Sequence, residues 1–159
     1  MKAIDNITKT LCAYLEGKNI LEIACGDSDF SISASKYAEK VLATDISLDR
    51  FKCRGLNNIS DNIEFLEMSA DALDLEDGTF DAAVCYNALG HLIEIIPSVF
   101  KEMVRVVKTG GLIVFASTWK MDRILHQVIE DLVILYDGLE VSVEEKSNYS
   151  ILLIKKTSV

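Results

Sequence analysis

Asn19-Ile-Leu-Glu-Ile-Ala-Cys-Gly-Asp-Ser-Asp29 joins a short apolar run to a glycine, then to three residues of the helix-capping kind. Ile20 to Ala24 predict a buried parallel strand, since such strands are covered on both faces and read as continuous apolar runs. Gly26 predicts a tight turn, and Asp27, Ser28 and Asp29 predict a helix N-cap. Phe30, Ala34 and Ala38 then recur at helical spacing. A strand, a glycine turn and a helix in this order let backbone approach a ligand closely and aim helix N–H groups at it.

The charges of the turn limit what that ligand can be. A dinucleotide rests its pyrophosphate on a G-x-G-x-x-G turn. Here Ala24, Gly26 and Asp29 stand at the glycine positions, and Glu22, Asp27 and Asp29 crowd the loop with carboxylates. Like charge so close repels a pyrophosphate. A ligand carrying ammonium and sulfonium groups suits it better.

Downstream, the chain alternates strands and helices. Residues 1–17 predict a helix with Ile4, Ile7, Leu11 and Leu15 on one face, either a lid or a packing helix, ended by Gly17. Lys40 to Asp45 predict a second strand, and Asp45 lies about 20 residues past the glycine turn, the separation of an acid that binds ribose hydroxyls. A carboxylate accepts from two vicinal hydroxyls at once, and Ile46 offers an apolar surface to a purine. A short helix over 48–54 follows. Asn62 to Met68 predict the third strand, leading into Ser69-Ala-Asp-Ala72. Asp71, just past a strand end, can accept from an exocyclic amine, or can merely cap the turn at Leu73 to Leu75.

Phe80 to Tyr86 are almost wholly apolar and predict a central strand, with Asn87-Ala-Leu-Gly-His91 at its ligand-binding edge. Pro97 opens a helix whose buried stripe is Val99, Phe100, Met103, Val104 and Val107, with Lys108 in its last turn. Gly110-Gly111 is read as a break before a fifth strand, Leu112 to Ala116. A helix over 122–135 and two strands, Leu139 to Val143 and Ser150 to Lys155, complete the chain. The link between those strands is short enough only for a hairpin, so one of them runs antiparallel.

Composition excludes some classes. A formal net charge of -9 disfavours nucleic acid and anionic membranes as partners. The four cysteines, Cys12, Cys25, Cys53 and Cys85, form no C-x-x-C pair and read as reduced, mostly buried thiols. The two histidines lie far apart in sequence, and no metal site is expected. No signal peptide or membrane-length apolar run is legible, so the expected location is cytoplasmic. At 159 residues one domain spanning the chain is expected.

Five segments in order resemble the class I S-adenosylmethionine-dependent methyltransferases of the small-molecule type. They are Leu21 to Ser28, Ala43 to Ser47, Ser69 to Ala72, Phe80 to Leu92, and Glu102 to Val114. The resemblance implies a three-layer α/β/α Rossmann-like fold with strand order 3-2-1-4-5-7-6 and strand seven antiparallel. It implies S-adenosylmethionine as cofactor and a small-molecule methyl acceptor. By the same resemblance Glu22 holds the turn near the methionine ammonium, and Ala24, Cys25, Gly26 and Ser28 form the turn around the methionine part. Asp45 takes the ribose hydroxyls, Ile46 packs on adenine, Asp71 and the Ala72 N–H meet its edge, and the Asn87 carbonyl lies near the ammonium.

His91 is the candidate general base, with loop-shaping the plainer role. Tyr86, Asn87 and Trp119 are candidate acceptor-side residues, although Trp119 also suits packing. Ala24 and Ser28 replace usual glycines, and Thr109 a usual proline. The chain carries no inserted cap of the kind that holds substrate. Two rival readings therefore stand beside a methyltransferase enzyme. One is a non-catalytic cofactor-binding subunit serving a partner chain, with a homodimer also open; the other is a nicotinamide-dependent oxidoreductase, against which the acidic turn and the terminal hairpin count.

Overall fold

The computed structural model describes residues 2–55 and 59–158. Its centre is a seven-stranded sheet with strand order β3-β2-β1-β4-β5-β7-β6. The strands are β1 (Asn19–Ile23), β2 (Lys40–Asp45), β3 (Ile63–Glu67), β4 (Phe80–Tyr86), β5 (Val107–Ser117), β6 (Leu139–Glu145) and β7 (Ser150–Lys156). β7 runs antiparallel to both its neighbours, and the β1–β2, β1–β4, β2–β3 and β4–β5 pairs are parallel.

Helices cover both faces. α1 (Ala3–Thr10), α2 (Cys12–Leu15) and α3 (Asp29–Ala34) lie on one side. α5 (Leu89–Leu92), α6 (Ile96–Val106) and α7 (Lys120–Val133) lie on the other, and α4 (Asp49–Arg54) follows β2. β4 illustrates the layering. Ala82 and Val84 pack with Ile4, Ile7, Phe30 and Ile151, whereas Ala83 and Cys85 pack with Phe100, Met103 and Ile129. An apolar run at the sheet centre is what burial on both faces requires.

Several local expectations are corrected. The first helix breaks at Leu11 into α1 and α2, and its apolar face packs in the core while Thr8 Oγ1 meets Ser33 Oγ of α3 at 2.7 Å. Its role is packing.

Lys108 lies past the end of α6, because β5 already begins at Val107. The carbonyls at that helix end are met by Lys156 of β7. Its buried Nζ donates to Val104 O at 2.9 Å and Val107 O at 2.8 Å. Gly110-Gly111 does not precede β5 but lies within it, where the pairing jumps from Phe80↔Val107 to Ala82↔Leu112. The jump leaves residues 108–110 exposed, with Gly111 buried against the neighbouring strand. Gly110 takes φ 88°, and a Cβ on Gly111 would stand 2.6 Å from the Asp81 carbonyl oxygen. Glycine is required at the first for its left-handed backbone and at the second for the close approach.

Candidate functional site

The C-terminal ends of the parallel strands open into a cleft of about 540 Å³. The β1 turn contributes Ala24, Cys25, Gly26, Asp27 and Asp29; the β2 end, Asp45, Ile46 and Arg50; the β3 end, Met68, Ser69 and Ala70. The β4 end contributes Tyr86, Asn87, Ala88, His91, Leu92 and Ile95, and the β5 end Thr118 and Trp119. This is the edge at which open α/β sheets take ligands.

The turn is shaped by unusual backbone. Ala24 (φ 49°) and Ser28 (φ 66°) both lie in the left-handed region, as does Gly26 (φ 55°). The alanine is therefore not a mild replacement for glycine: it holds a conformation that costs an L-residue about 1–2 kcal/mol. Ser28 gives no side-chain cap to α3, and its Oγ is buried with no hydrogen-bond partner among the described residues. Only a weak Asx contact, Asp29 N to Asp27 Oδ1 at 3.4 Å, remains of the expected cap.

Three turn N–H groups are already committed: Cys25 N donates to Thr44 O, Ser28 N to Cys25 O, and Gly26 N to Asp45 Oδ2 at 2.8 Å. A phosphate cradle needs such groups free. Asp45 Oδ1 also accepts from Ser47 N at 3.2 Å. Two backbone donors thus fix this carboxylate at the cleft edge, and each oxygen keeps a lone pair for a ligand hydroxyl.

Glu22 lies beneath the turn, fully buried. Its Oε1 accepts from Ser31 N at 3.2 Å and Ser31 Oγ at 2.7 Å, and its Oε2 has no partner among the described residues. Burial pushes its carboxyl up to about 8, against the opposing Ser31 bonds, with the nearby Asp27 and Asp29 charges adding to the rise. Burial likewise pushes the Cys25 thiol up to about 12 and raises the Cys85 thiol. Both are buried; Cys12 is half-buried and Cys53 exposed.

The carboxylate excess read from the turn is partly offset by α4. Arg54 pairs with Asp29 and donates to Asp27 O at 3.0 Å; Arg50 lies 3.9 Å from Asp27 Oδ2. Neither arginine was singled out from the sequence, although Arg50, Lys52 and Arg54 stand together after β2. Arg50 also covers Gly26, where an added Cβ would come within 3.2 Å of its Nη1.

Across the cleft, Asn87 (φ 51°) ties the ends of β4 and β5 together. Its Nδ2 donates to Thr118 Oγ1 at 2.7 Å, its Oδ1 accepts from Thr118 N at 2.8 Å, and its own N donates to Ala116 O. The next loop carries α5, whose Gly90 N–H donates to buried Asp122 Oδ1 of α7 at 3.0 Å. His91, on α5, is exposed at the cleft. The second histidine, His126, is buried on α7, with Nε2 3.0 Å from Ser117 Oγ and Nδ1 3.3 Å from Ser150 Oγ. It ties α7 to β5 and β7.

Of the residues singled out from the sequence, Ala24, Cys25, Gly26, Asp45, Ile46, Asn87 and His91 line the cleft, as do Tyr86 and Trp119. Glu22, Ser28, Asp71 and Ala72 do not. Glu22 and Ser28 are buried behind the turn, whereas Asp71 accepts from Ser69 Oγ and Ala72 bridges back to Ser69. Thr118, Ile95, Arg50 and Met68 are cleft residues that no motif marked.

The cleft fits a nucleoside with a positively charged arm. It has room for one, a fixed carboxylate beside an exposed apolar side chain (Ile46, 76% exposed), and an unpartnered buried oxygen on Glu22 under the turn.

The methyltransferase domain family matches residues 21–115, from β1 through β5. Demethylmenaquinone methyltransferase of Lactococcus lactis subsp. lactis is 34% identical over 110 residues, covering 65% of this chain and 43% of that protein. Ubiquinone biosynthesis O-methyltransferase of Paraburkholderia xenovorans is 30% identical over 109 residues, covering 66% of this chain and 46% of that protein. The chain thus matches a little under half the length of these curated relatives. A solved protein from Pyrococcus horikoshii OT3 shares the fold, with TM-score 0.80 and 23% identity over 98% of this chain and 89% of that one. Strand order, turn and family match agree: the chain belongs to the methyltransferase domain family, in its class I, S-adenosylmethionine-dependent form.

Proposed function

We propose that the chain transfers a methyl group from S-adenosylmethionine to a small aromatic acceptor. The observation that carries this reading is the pinned Asp45 carboxylate facing a cleft that continues past Asn87 to His91 and Trp119. The names of the relatives, demethylmenaquinone and ubiquinone methyltransferases, support an aromatic acceptor.

When bound, the cofactor supplies a methyl carbon made electrophilic by its positive sulfur, so transfer is an in-line displacement that leaves a thioether. The chain's own part is holding and orienting. Asp45 would accept from the ribose hydroxyls, Ile46 would pack on the adenine, and the Ala24–Ser28 turn with the Asn87 carbonyl would hold the methionine arm. Glu22 would hold the turn from beneath, partly through water, near the methionine ammonium. Asp71 and the Ala72 N–H would take the adenine edge, the N–H once it leaves Ser69 O, to which it donates at 3.2 Å. His91 receives a proton from the acceptor, while Tyr86 and Trp119 bound the acceptor side.

The alternative is a cofactor-binding subunit whose acceptor walls come from a partner or a second copy. A turnover assay for S-adenosylhomocysteine with a panel of phenols and hydroquinones separates them. Product above background for the purified chain is expected. Cofactor binding with no product across the panel would leave the subunit reading.

A further inference from the structure

Asp122 stands in the first turn of α7 and is buried, at 3% exposure. An acid in that turn suits the dipole of its own helix, but its hydrogen bond goes to another one. Oδ1 accepts from the Gly90 N–H of α5 at 3.0 Å. Gly90 is the second residue of α5, so its N–H has no carbonyl within the helix to meet. The N-cap of α5 is Ala88, whose side chain cannot accept a hydrogen bond. Asp122 therefore caps α5 from a neighbouring helix. The approach is close, since a Cβ on Gly90 would stand 3.1 Å from Asp122 Oδ1.

For stability alone this carboxylate is a poor choice. Its Oδ2 is buried with no hydrogen-bond partner among the described residues, and the adjacent Arg123 pairs with Glu145 instead. A buried polar oxygen left unpartnered offsets the gain from the one bond that its carboxyl makes.

What the bond holds is a wall of the cleft. Ala88, His91 and Leu92 line it, and the His91 N–H donates to Ala88 O at 3.1 Å within the same turn. On the α7 side, Thr118 holds Asn87, and Trp119 both lines the cleft and is the N-cap of α7. Asp122 thus joins the segment after β4 to the segment after β5, although it does not line the cleft itself.

We propose that Asp122 is a positioning residue for methyl transfer: by capping α5 from α7 it holds the turn that carries His91, and it acts on the transfer step and not on cofactor binding. The inference rests on the methyl-transfer reading. A small misplacement of a group at the reacting centre is enough to slow transfer strongly.

Two variants of the full chain test it. Asp122→Asn keeps an oxygen for Gly90, and Asp122→Ala removes it. Amide exchange at Gly90, followed by NMR, reads the cap without turnover. Exchange is expected to be at least about tenfold faster in Asp122→Ala and within about threefold of wild type in Asp122→Asn. Turnover is followed as S-adenosylhomocysteine formed from the phenol or hydroquinone that the wild-type chain uses best. Asp122→Ala is expected to lower kcat about 10- to 100-fold with KM for the acceptor within about threefold, and Asp122→Asn to recover most of the loss. In both, S-adenosylhomocysteine affinity is expected within about twofold of wild type, and the urea midpoint is expected to hold or rise.

Unchanged Gly90 exchange or unchanged kcat in Asp122→Ala would overturn the proposal. So would an Asp122→Asn variant no more active than Asp122→Ala. A fall in cofactor affinity or urea midpoint alongside kcat, or failure of the variant to fold, would make Asp122 a structural residue and overturn it as well. A wild-type chain without turnover, in which Gly90 exchange still depends on Asp122, would strike the methyl-transfer reading instead, and the role in transfer with it.

Discussion

At the scale of single residues, Glu22 connects burial, charge and ligand. Its carboxyl is held by Ser31 on one oxygen, has no partner on the other, and titrates near 8 instead of near 4.5. Between those values the folded chain keeps a proton that the unfolded chain has lost. Stability from this group is therefore full below about pH 4.5 and declines as pH rises through 8. Glu22→Gln, which stays neutral, is expected to flatten that decline and to raise the stability of the ligand-free chain at pH 8.5 by on the order of a few kcal/mol. Urea unfolding from pH 5 to 9 measures it. An unchanged slope in the variant would mean that Glu22 is already ionised in the folded state.

At the scale of elements, β5 shows why a motif can be legible while its geometry is not. Gly110-Gly111 was visible as a chain-breaking pair, but not as a register jump inside a continuous strand, because the jump depends on where Phe80 and Ala82 find partners. Gly111→Ala would place a methyl group against the Asp81 carbonyl. It is expected to cost about 2 kcal/mol or more, read as a lower urea midpoint, since the contact is with backbone that cannot swing away. Stability equal to wild type would mean that the fold of 108–111 is looser than described.

The same contrast runs through the helices. The stripe of α6 was legible from period at Val99, Phe100 and Met103, although Val107 belongs to β5 and Val106 takes its place; the hairpin was legible from its link length, but the buried face of α7, with Asp122 and His126 beside Ile129 and Val133, was not. Lys156 reaching the end of α6, and α4 bringing Arg50 and Arg54 onto the turn, were not legible either. Those contacts join residues far apart in sequence, and no local pattern encodes them. Ser28 belongs with these: its residue type suggested a cap, but its left-handed backbone turned it inward.

At the scale of the molecule, the short hairpin link made one antiparallel strand legible, whereas the sheet order and the assignment of that direction to β7 came only with the family resemblance; the structure has both. The positions of Asp45 and Asn87 at strand ends were legible, because strand ends in such a sheet converge on one edge. Less legible was the division of that edge into a charged and a neutral half, which arises from side chains of β1, β2, β4 and β5 meeting in space. In the proposed function the charged half would hold the cofactor and the neutral half would be left for the acceptor.

The most direct test is calorimetry of S-adenosylhomocysteine binding to the wild-type chain and to Asp45→Ala, with folding checked by urea unfolding. Two charge-assisted bonds to vicinal hydroxyls are together worth about 3 kcal/mol, so the variant is predicted to bind about 100-fold more weakly while remaining folded. Equal affinity in the two proteins would contradict the account, because Asp45 would then not be holding the ribose.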